Sequence, residues 1–348
     1  MSKKFITIKD IKIGGGSNIA VQSMLNVPTT DIGAALSQIN RLYDAGCDIV
    51  RLAVPDSAAA DAMAEIVKMS PLPFVADIHF DYRLALTCIK NGVHKIRINP
   101  GNLGGEERAA AVADAAGAAG IPIRIGVNGG SLEKGLLEKC DGNLARAMVE
   151  SARGHIEILN RYGFDDIALS MKASDVKTTI SAYRMAAEEF DYPLHLGVTE
   201  AGTTRDGIIK SAIGIGSLLS DGIGDTIRVS LTDEPEREVE AAHDILRALD
   251  LDGDCVTVVS CPTCGRTKID LIPIANAVSD AVRGVRKKMK VAVMGCVVNG
   301  PGEASDADIG IAGGDGCAVL FKKGEIVGKI SEDEIIPRLL EEIESLHR

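Results

Sequence analysis

The chain has 348 residues, of which 46% are hydrophobic, 25% charged and 3% aromatic, and its formal net charge is −11. This acidic balance and the absence of tryptophan exclude nucleic-acid binding through overall charge or an extensive platform of aromatic rings. No run of about 18 apolar residues predicts a membrane span, and the N-terminus lacks the apolar core of a signal peptide. We therefore expect a cytoplasmic protein with neither a membrane nor a nucleic-acid partner.

Short apolar stretches alternate with longer helical stretches from residue 18 to about 250. Eight strands are predicted, at residues 18–24, 47–54, 72–80, 95–99, 121–129, 166–172, 194–202 and 225–231. Segments between them, such as IGAALSQINRLYDAG, carry apolar residues at the three- and four-residue spacing of amphipathic helices. Eight such units have the count and size of a (β/α)8 barrel of TIM type. The alternative is a doubly wound sheet, although no GxGxxG follows the first strand.

Both ends of this region carry further signals. The run Gly14–Gly16 precedes the first barrel strand and is expected to close a small N-terminal hairpin. Near residue 250 the alternation stops, and a helix, a basic run (Arg283–Lys290), several strands and a last helix follow. A hairpin turn is predicted at Lys322–Gly324. The sequence thus predicts a barrel over residues 1–250 and a smaller α+β domain over residues 254–348.

Polar and charged residues gather at the carboxyl ends of the predicted strands, where barrels of this type build their active sites. They are Gln22, Ser23, Arg51, Asp77, His79, Arg97, Asn99, Arg124, Asn128, Ser170, Lys172, Glu200, Arg228 and Ser230. Several lie two positions apart, so their side chains face the same way. Four arginines and a lysine suit a pocket for a small anion with several charges, such as a phosphate ester or diphosphate. The alternative is that these cations pair with acids at the barrel rim.

Three residues of this set are candidates for catalytic roles. His79 follows Asp77 at the spacing that places both side chains on one face of a strand, and the alternative is a structural histidine. Glu200 is a candidate acid or base, and the alternative role is that of an ion-pair partner for Lys172.

Cysteines in the second domain predict a metal or redox site, because eight cysteines are too few for a disulfide framework in a chain of this size. Cys261 and Cys264 form a C-x2-C turn that resembles half of a zinc ribbon. A complete ribbon needs a second pair, whereas only Cys296, Cys317 and His347 follow. Three thiolates favour an iron–sulfur cluster, and the second domain is interpreted as an α+β iron–sulfur domain.

The fourth ligand of such a cluster remains open on spacing alone. The candidates are Cys255, Cys317, Glu303 and the substrate itself. Cys255 and Cys317 adjoin apolar strand-like runs and are expected to be core residues. The cysteines without a partner at metal spacing are expected to be structural; they are Cys47, Cys88 and Cys140.

Seven segments together resemble the 4-hydroxy-3-methylbut-2-enyl diphosphate synthase family in its bacterial two-domain form. They are VQSMLNVPTTD, ADIHFDYRLAL, IRINPGN, RIGVNGGSLE, LLSDGIGDTIRVSLTDEP, CPTCGR and MGCVVNGPGEA. The resemblance covers essentially the whole chain. One departure is QSMLNVPTTD, where the family commonly has QSMTNTxTxD.

The resemblance implies an iron–sulfur oxidoreductase of the non-mevalonate isoprenoid pathway. Its reaction is the reductive ring opening of 2-C-methyl-D-erythritol 2,4-cyclodiphosphate to 4-hydroxy-3-methylbut-2-enyl diphosphate and water. A [4Fe–4S] cluster would be held by Cys261, Cys264, Cys296 and Glu303. Flavodoxin or ferredoxin would deliver two electrons singly. The family works as a homodimer in which the cluster domain of one chain caps the barrel of the other.

The resemblance also assigns roles in the barrel. The residues expected to hold the diphosphate are Arg51, Arg97, Arg124, Lys172 and Arg228, assisted by Asn128 and Ser230. Asp77, His79 and Asn99 would contact the substrate. Glu200 would donate or shuttle a proton. The basic run at Arg283–Lys290 is interpreted as a solvated face, or alternatively as a docking patch for an acidic electron carrier.

Two other functions compete with this one. A barrel enzyme acting on phosphate esters, with a structural zinc at the C-x2-C turn, predicts a colourless protein. A non-catalytic iron–sulfur sensor predicts a cluster without tight binding of a cyclic diphosphate.

Overall fold

The structure, a computed structural model, describes residues 2–99, 103–253, 255–283, 285, 287–298 and 304–345. The chain divides into two compact units, Met1–Leu251 and Asp252–Arg348. Among the described residues, no helix combines the length and apolar character needed to cross a membrane.

The first unit begins with an antiparallel hairpin of strands β1 (Phe5–Ile8) and β2 (Ile11–Gly14). Lys9, with φ of +57°, and Asp10 make its turn. The prediction that Gly14–Gly16 closes the hairpin is therefore wrong. All three glycines have positive φ, and they lead the chain out of β2, where a side chain at position 14 would come within 2.6 Å of the Lys4 carbonyl oxygen.

Eight parallel strands follow and form the barrel, which confirms the predicted fold class over the doubly wound alternative. They are β3 (Ala20–Met24), β4 (Ile49–Ala53), β5 (Phe74–Asp77), β6 (Lys95–Ile98), β7 (Ile123–Asn128), β8 (Ile167–Lys172), β9 (His195–Leu196) and β10 (Thr226–Ile227). Their order is β8-β7-β6-β5-β4-β3-β10-β9. A parallel bridge between Leu169 and Leu194 joins β8 to the start of β9 and closes the circle. Strands β9 and β10 are much shorter than predicted, so Glu200, Arg228 and Ser230 lie in the segments beyond them.

Nine helices of the first unit lie in the described residues between and after these strands. They are α1 (Ile32–Asp44), α2 (Ser57–Met69), α3 (Tyr82–Lys90), α4 (Glu106–Ala119), α5 (Leu136–Lys139), α6 (Leu144–Arg161), α7 (Val176–Glu189), α8 (Thr204–Ser220) and α9 (Pro235–Ala248). Aspartates cap several of them: Asp31 accepts from Ala34 N at 3.0 Å and Asp56 from Ala59 N at 2.9 Å. Such caps contribute about 0.5–2 kcal/mol each and fix where the strand-to-helix loops end.

The hairpin closes the amino-terminal end of the barrel. Ile6, Ile8 and Ile13 form one buried cluster with residues at the first or second position of four strands, namely Ala20, Ile49, Val75 and Ala168. Apolar packing at this end leaves the opposite, carboxyl end of the strands for polar side chains.

The second unit is a five-stranded mixed sheet with two helices. Its elements are β11 (Val256–Ser260), α10 (Leu271–Val282), β12 (Met289–Met294), β13 (Ile309–Gly314), β14 (Cys317–Lys322), β15 (Glu325–Ser331) and α11 (Ile335–Ser345). The strands follow in chain order, with β11 to β13 parallel and β13 to β15 antiparallel. Lys323 and Gly324, both with positive φ, make the β14–β15 turn, which confirms the predicted hairpin. Helices α10 and α11 pack with the sheet in one apolar cluster.

Candidate functional site

A cavity of about 270 Å³ lies at the carboxyl end of the barrel strands. It is lined by Met24, Arg51, Asp77, His79, Arg97, Arg124, Asn128, Ser170, Lys172, Thr199, Arg228 and Ser230. The structure thus brings most of the predicted strand-end residues together. Met24 and Thr199 were not singled out from the sequence.

Asp77 is the buried anion of this cavity. Its carboxylate lies 3.1 Å from Arg97 Nη1, 3.8 Å from Arg51 Nε and 3.3 Å from His79 Nε2. Burial alone would raise the pKa of Asp77, but the charge of Arg51, the His79 contact and the charge of Arg97 hold it well below its usual range. Asp77 therefore stays ionised and orients its partners instead of donating a proton.

The cavity carries more positive than negative charge. Burial, and then the charges of Arg228 and Arg124, hold the pKa of Lys172 well below its usual range. Burial also lowers the pKa of Arg51 to about 10, against the opposing effect of Asp77. Arg124 is 1% exposed, and burial lowers its pKa in the same way. A bound anion with several charges would relieve this mutual repulsion.

Two glycines make room for cationic side chains. A Cβ at Gly126 of β7 would come within 2.7 Å of Arg97 Nη2, and a Cβ at Gly197 within 2.6 Å of Lys172 Nζ. Any larger residue at either position would displace the charged end that faces the cavity.

Met24, at the end of β3, lies between two arginines. Its sulfur accepts hydrogen bonds from Arg51 Nε at 3.0 Å and Nη2 at 2.8 Å, and lies 3.6 Å from Arg228 Nη1. Alternation along β3 is the signal that points to Met24, because it shares a face with Gln22.

Gln22 and Ser23 were expected at the strand end, but they do not line this cavity. Gln22 is buried in the barrel, with its Oε1 3.5 Å from Arg124 Nη1. Ser23 lies on the other face of β3, where its Oγ donates to Glu238 Oε2 at 3.3 Å.

Glu200 lies in an adjoining cavity of about 520 Å³ that shares Asn128, Lys172 and Thr199 with the first. It is exposed, and its φ of +52° is a strained conformation for a residue with a side chain. In the described part of the chain no ion pair joins it to Lys172. Asn99 is 6% exposed and is not among the described residues that line either cavity.

Two neighbouring strands of the second unit carry the cysteines. Cys261 and Cys264 follow β11, and Cys296 follows β12, its parallel neighbour. Gly295 N donates to Cys261 Sγ at 3.2 Å. Hydrogen bonds from the backbone and side chain of Arg266 lower the pKa of Cys264. Thiols at one sheet edge, with amide donors to sulfur and a favoured thiolate, fit an iron–sulfur group.

The set of cluster ligands is incomplete in the described residues. Glu303 lies outside them, and within them no three side chains of His, Cys, Asp or Glu are close enough together to hold a metal ion.

The remaining cysteines differ in burial. Cys47 and Cys88 are buried, and burial raises the pKa of each to about 12, which suits inert core residues. Cys140 is partly buried. Cys255 and Cys317 are also only partly buried, in contrast to the expected core positions, because each lies at the start of or just before a strand.

A (β/α)8 barrel with a cationic cavity, together with an α+β domain that carries three cysteines after two neighbouring strands, is the arrangement expected of a two-domain iron–sulfur enzyme. Two family models match the chain: the GcpE TIM-barrel domain over residues 3–243 and the GcpE protein C-terminal domain over residues 257–345. The chain belongs to the GcpE family.

Curated relatives are similar over nearly the full chain and are named 4-hydroxy-3-methylbut-2-en-1-yl diphosphate synthase (flavodoxin). The relative from Ruminiclostridium cellulolyticum is 56% identical over 343 residues, which are 99% of this chain and 97% of the relative. The relative from Caldanaerobacter subterraneus subsp. tengcongensis is 57% identical, over 98% of this chain and 96% of its own. The relative from Geobacter sulfurreducens is 53% identical, over 98% and 97%.

Solved structures with similar folds are far more distant in sequence. The spore coat polysaccharide biosynthesis protein spsE from Bacillus subtilis superposes with a TM-score of 0.52 at 11% identity, covering 71% of this chain and 73% of its own. Dihydropteroate synthase from Yersinia pestis gives 0.50 at 15% identity, covering 72% and 100%. At these identities the similarity shows the fold alone.

Proposed function

We propose that this chain catalyses the reductive ring opening and dehydration of 2-C-methyl-D-erythritol 2,4-cyclodiphosphate. The cyclic diphosphate takes up two electrons and two protons and yields 4-hydroxy-3-methylbut-2-enyl diphosphate and one water. Relatives more than half identical over nearly the full chain carry the name of this synthase. The observation that carries the proposal is the cationic cavity, whose excess of positive charge suits a diphosphate.

Substrate binding falls to the residues around the cavity. The proposed diphosphate ligands are Arg51, Arg97, Arg124, Lys172 and Arg228, with Asn128 and Ser230 as hydrogen-bonding partners. Asn99, which is not among the described residues that line the two cavities, is proposed as a further contact from the family resemblance. Arginine forks and a lysine are suited to phosphate oxygens. Charge repulsion among these buried cations in the free cavity makes an anionic ligand favourable.

Proton transfer is assigned to residues at the rim of the barrel cavity. Asp77 is held as a carboxylate, so it orients Arg97 and His79 next to the substrate. Glu200, which is exposed at the adjoining cavity, is the proposed proton donor or shuttle. Its strained backbone is consistent with a functional constraint on its position.

The proposed cofactor is a [4Fe–4S] cluster held by Cys261, Cys264, Cys296 and Glu303. When bound, such a cluster supplies single low-potential electrons and an iron that acts as a Lewis acid. The amide of Gly295 and the hydrogen bonds from Arg266 would stabilise the thiolates. Glu303 is one of the candidates that spacing left open for the fourth ligand, and the resemblance is what selects it.

The proposed partners are flavodoxin or ferredoxin as electron donor and a second copy of the chain. In the homodimer, the cluster domain of one chain would serve the barrel of the other. Part of the basic run is already paired: Lys290 with Asp306 at 2.5 Å, and Arg283 with Asp280 at 3.7 Å. Lys287 and Lys288 are therefore the proposed carrier contacts. Reduced cysteine ligands suit a cytoplasmic location.

Anaerobic purification with a visible spectrum, metal analysis and a turnover assay tests the proposal. We expect a brown protein with a broad band near roughly 400 nm and about four irons per chain, active on the cyclodiphosphate with reduced flavodoxin. A colourless protein with one zinc would favour the structural-zinc enzyme and overturn the proposal. A protein with a cluster but without binding of the cyclodiphosphate would favour the sensor.

A further inference from the structure

Glu238 is a buried carboxylate that lies beside the cavity without lining it. It is 5% exposed and belongs to helix α9, which packs against strand β3. A buried charge is costly unless it is paired and hydrogen-bonded. The partners of Glu238 therefore show what its charge is used for.

Both carboxylate oxygens of Glu238 are occupied. Oε1 accepts from Leu231 N at 3.0 Å, and Oε2 accepts from Ser23 Oγ at 3.3 Å. Arg228 adds three contacts: Nη2 lies 3.4 Å from Oε1 and 3.3 Å from Oε2, and Nε lies 3.4 Å from Oε2. The carboxylate thus joins a helix, a strand and the segment beyond β10.

These contacts fix one side of the Arg228 guanidinium. Nε and one edge of Nη2 face Glu238, while Nη1 lies 3.6 Å from the sulfur of Met24 on the cavity wall. An arginine held in this way loses less conformational freedom when an anion binds.

We propose that Glu238 is a positioning residue that fixes Arg228 for the diphosphate of the substrate. It acts through Arg228 and does not itself contact the substrate. The inference deepens the proposed function and rests on it for the identity of the bound diphosphate.

Two variants separate position from charge. Glu238→Gln keeps the shape but replaces one acceptor oxygen with a donor, which would face the Arg228 guanidinium at either position, together with Leu231 N or Ser23 Oγ. Glu238→Asp keeps the charge but draws it back by one methylene group. If position is what matters, both variants weaken anion binding. If Glu238 acted by charge alone, Glu238→Gln would strengthen it, because a negative charge would leave the neighbourhood of an anion pocket.

Calorimetric titration of the iron-loaded, full-length protein with inorganic pyrophosphate is the test. We expect each Glu238 variant to weaken binding by about 10-fold, the scale of one charge-assisted hydrogen bond. Glu240→Gln, on the same helix and paired with Arg237, is the matched control and should bind like the wild type. In an Arg228→Met background, adding Glu238→Gln should change the affinity no further, because the two residues act as one unit.

Three results would overturn the positioning role. They are tighter binding by Glu238→Gln, an equal further loss of affinity in the Arg228→Met background, and wild-type affinity in both Glu238 variants. The assay needs no turnover, so the two proposals can fail separately. A wild-type protein that binds pyrophosphate but leaves the cyclodiphosphate unchanged would contradict the proposed function and leave the role of Glu238 intact.

Discussion

At the scale of single residues, the cavity depends on the absence of a side chain at Gly126. The Arg97 guanidinium, which contacts Asp77, occupies the space that a side chain at position 126 would fill. In Gly126→Ala we expect the displaced guanidinium to lower kcat/KM by about 10- to 100-fold, since a misplacement of about 1 Å costs this much. The obstructing contact is the end of a flexible side chain, so the barrel should still fold. Steady-state kinetics and a thermal unfolding curve measure both effects.

The same substitution elsewhere provides the control for Gly126→Ala. A Cβ at Gly154 of α6 meets no atom within 4 Å, so Gly154→Ala should keep full kcat/KM. Equal activity of the two variants would show that Arg97 does not need this space.

Lys172 gives the cavity a pH dependence. Its pKa is depressed in the free cavity by burial and by neighbouring arginines, and a bound diphosphate favours the charged form. At pH values between the depressed pKa of Lys172 in the free cavity and its higher pKa in the complex, Lys172 takes up a proton when the ligand binds. Affinity therefore falls as pH rises through this range. Calorimetry of pyrophosphate binding in buffers of different ionisation enthalpy counts the protons.

Two lysine variants isolate this effect from protonation of the ligand. Lys172→Met should bind more weakly and take up fewer protons than the wild type, by at most about one per site. Lys177→Met, which alters an exposed lysine of α7, should match the wild type. The same proton count in all three proteins would refute the depressed pKa.

How much of the site the sequence predicts depends on how local each contact is. Alternation along a strand places Arg97 and Lys172 in the barrel mouth, because neighbouring positions in the sequence determine it. On β3 the prediction took Gln22 and Ser23 as the strand end and missed Met24, the last residue of the strand, which shares a face with Gln22. Glu238 is beyond such reasoning, because a helix carboxylate meets Ser23, 215 positions away, only through the packing of α9 on β3.

At the scale of elements, the β1–β2 hairpin stabilises the barrel from the end opposite the cavity. Ile8 is fully buried there. Ile8→Ala should lower the free energy of unfolding by about 2–5 kcal/mol through lost burial and the cavity left behind. Affinity for pyrophosphate should remain unchanged because the cations are held by other elements. Urea unfolding followed by circular dichroism measures the loss.

Thr7→Ala tests whether burial is the cause. Thr7 is exposed on the same strand, so its variant should stay within about 0.5 kcal/mol of the wild type. Similar losses in both variants would mean that the hairpin contributes through its backbone and not through its buried face.

The elements themselves were largely predictable because each carries its own periodicity. Eight apolar runs separated by amphipathic segments specify a closed parallel barrel. Strands β9 and β10 are shorter than predicted. The predicted runs extend to polar residues such as Glu200 and Ser230, which lie in loops beyond the last paired residues of these strands. The β1–β2 turn lies at Lys9–Asp10, where Lys9 adopts a positive φ. The turn was predicted at the nearby glycine run instead, because glycine adopts a positive φ far more readily than lysine.

At the scale of the whole molecule, the proposed homodimer makes a prediction about shared active sites. If the cluster domain of one chain serves the barrel of the other, an inactive barrel variant and an inactive cluster variant should complement each other. Arg228→Met and Cys264→Ser, co-expressed with different tags, should each be inactive alone. The doubly tagged heterodimer should recover about half of the wild-type rate, because one of its two sites contains both intact halves.

The matched control is a second heterodimer, which is expected to be inactive if the active sites are shared between chains. A heterodimer that carries both substitutions on one chain, beside a wild-type chain, has no intact site if the halves come from different chains, and one intact site if each chain works alone. Activity in this control, with none in the complementing pair, would establish sites within single chains. A monomeric wild-type enzyme with full activity would remove the dimer from the mechanism altogether. The two heterodimers carry the same two substitutions, so protein instability would lower the activity of both. Activity in one heterodimer and none in the other therefore cannot be explained by instability.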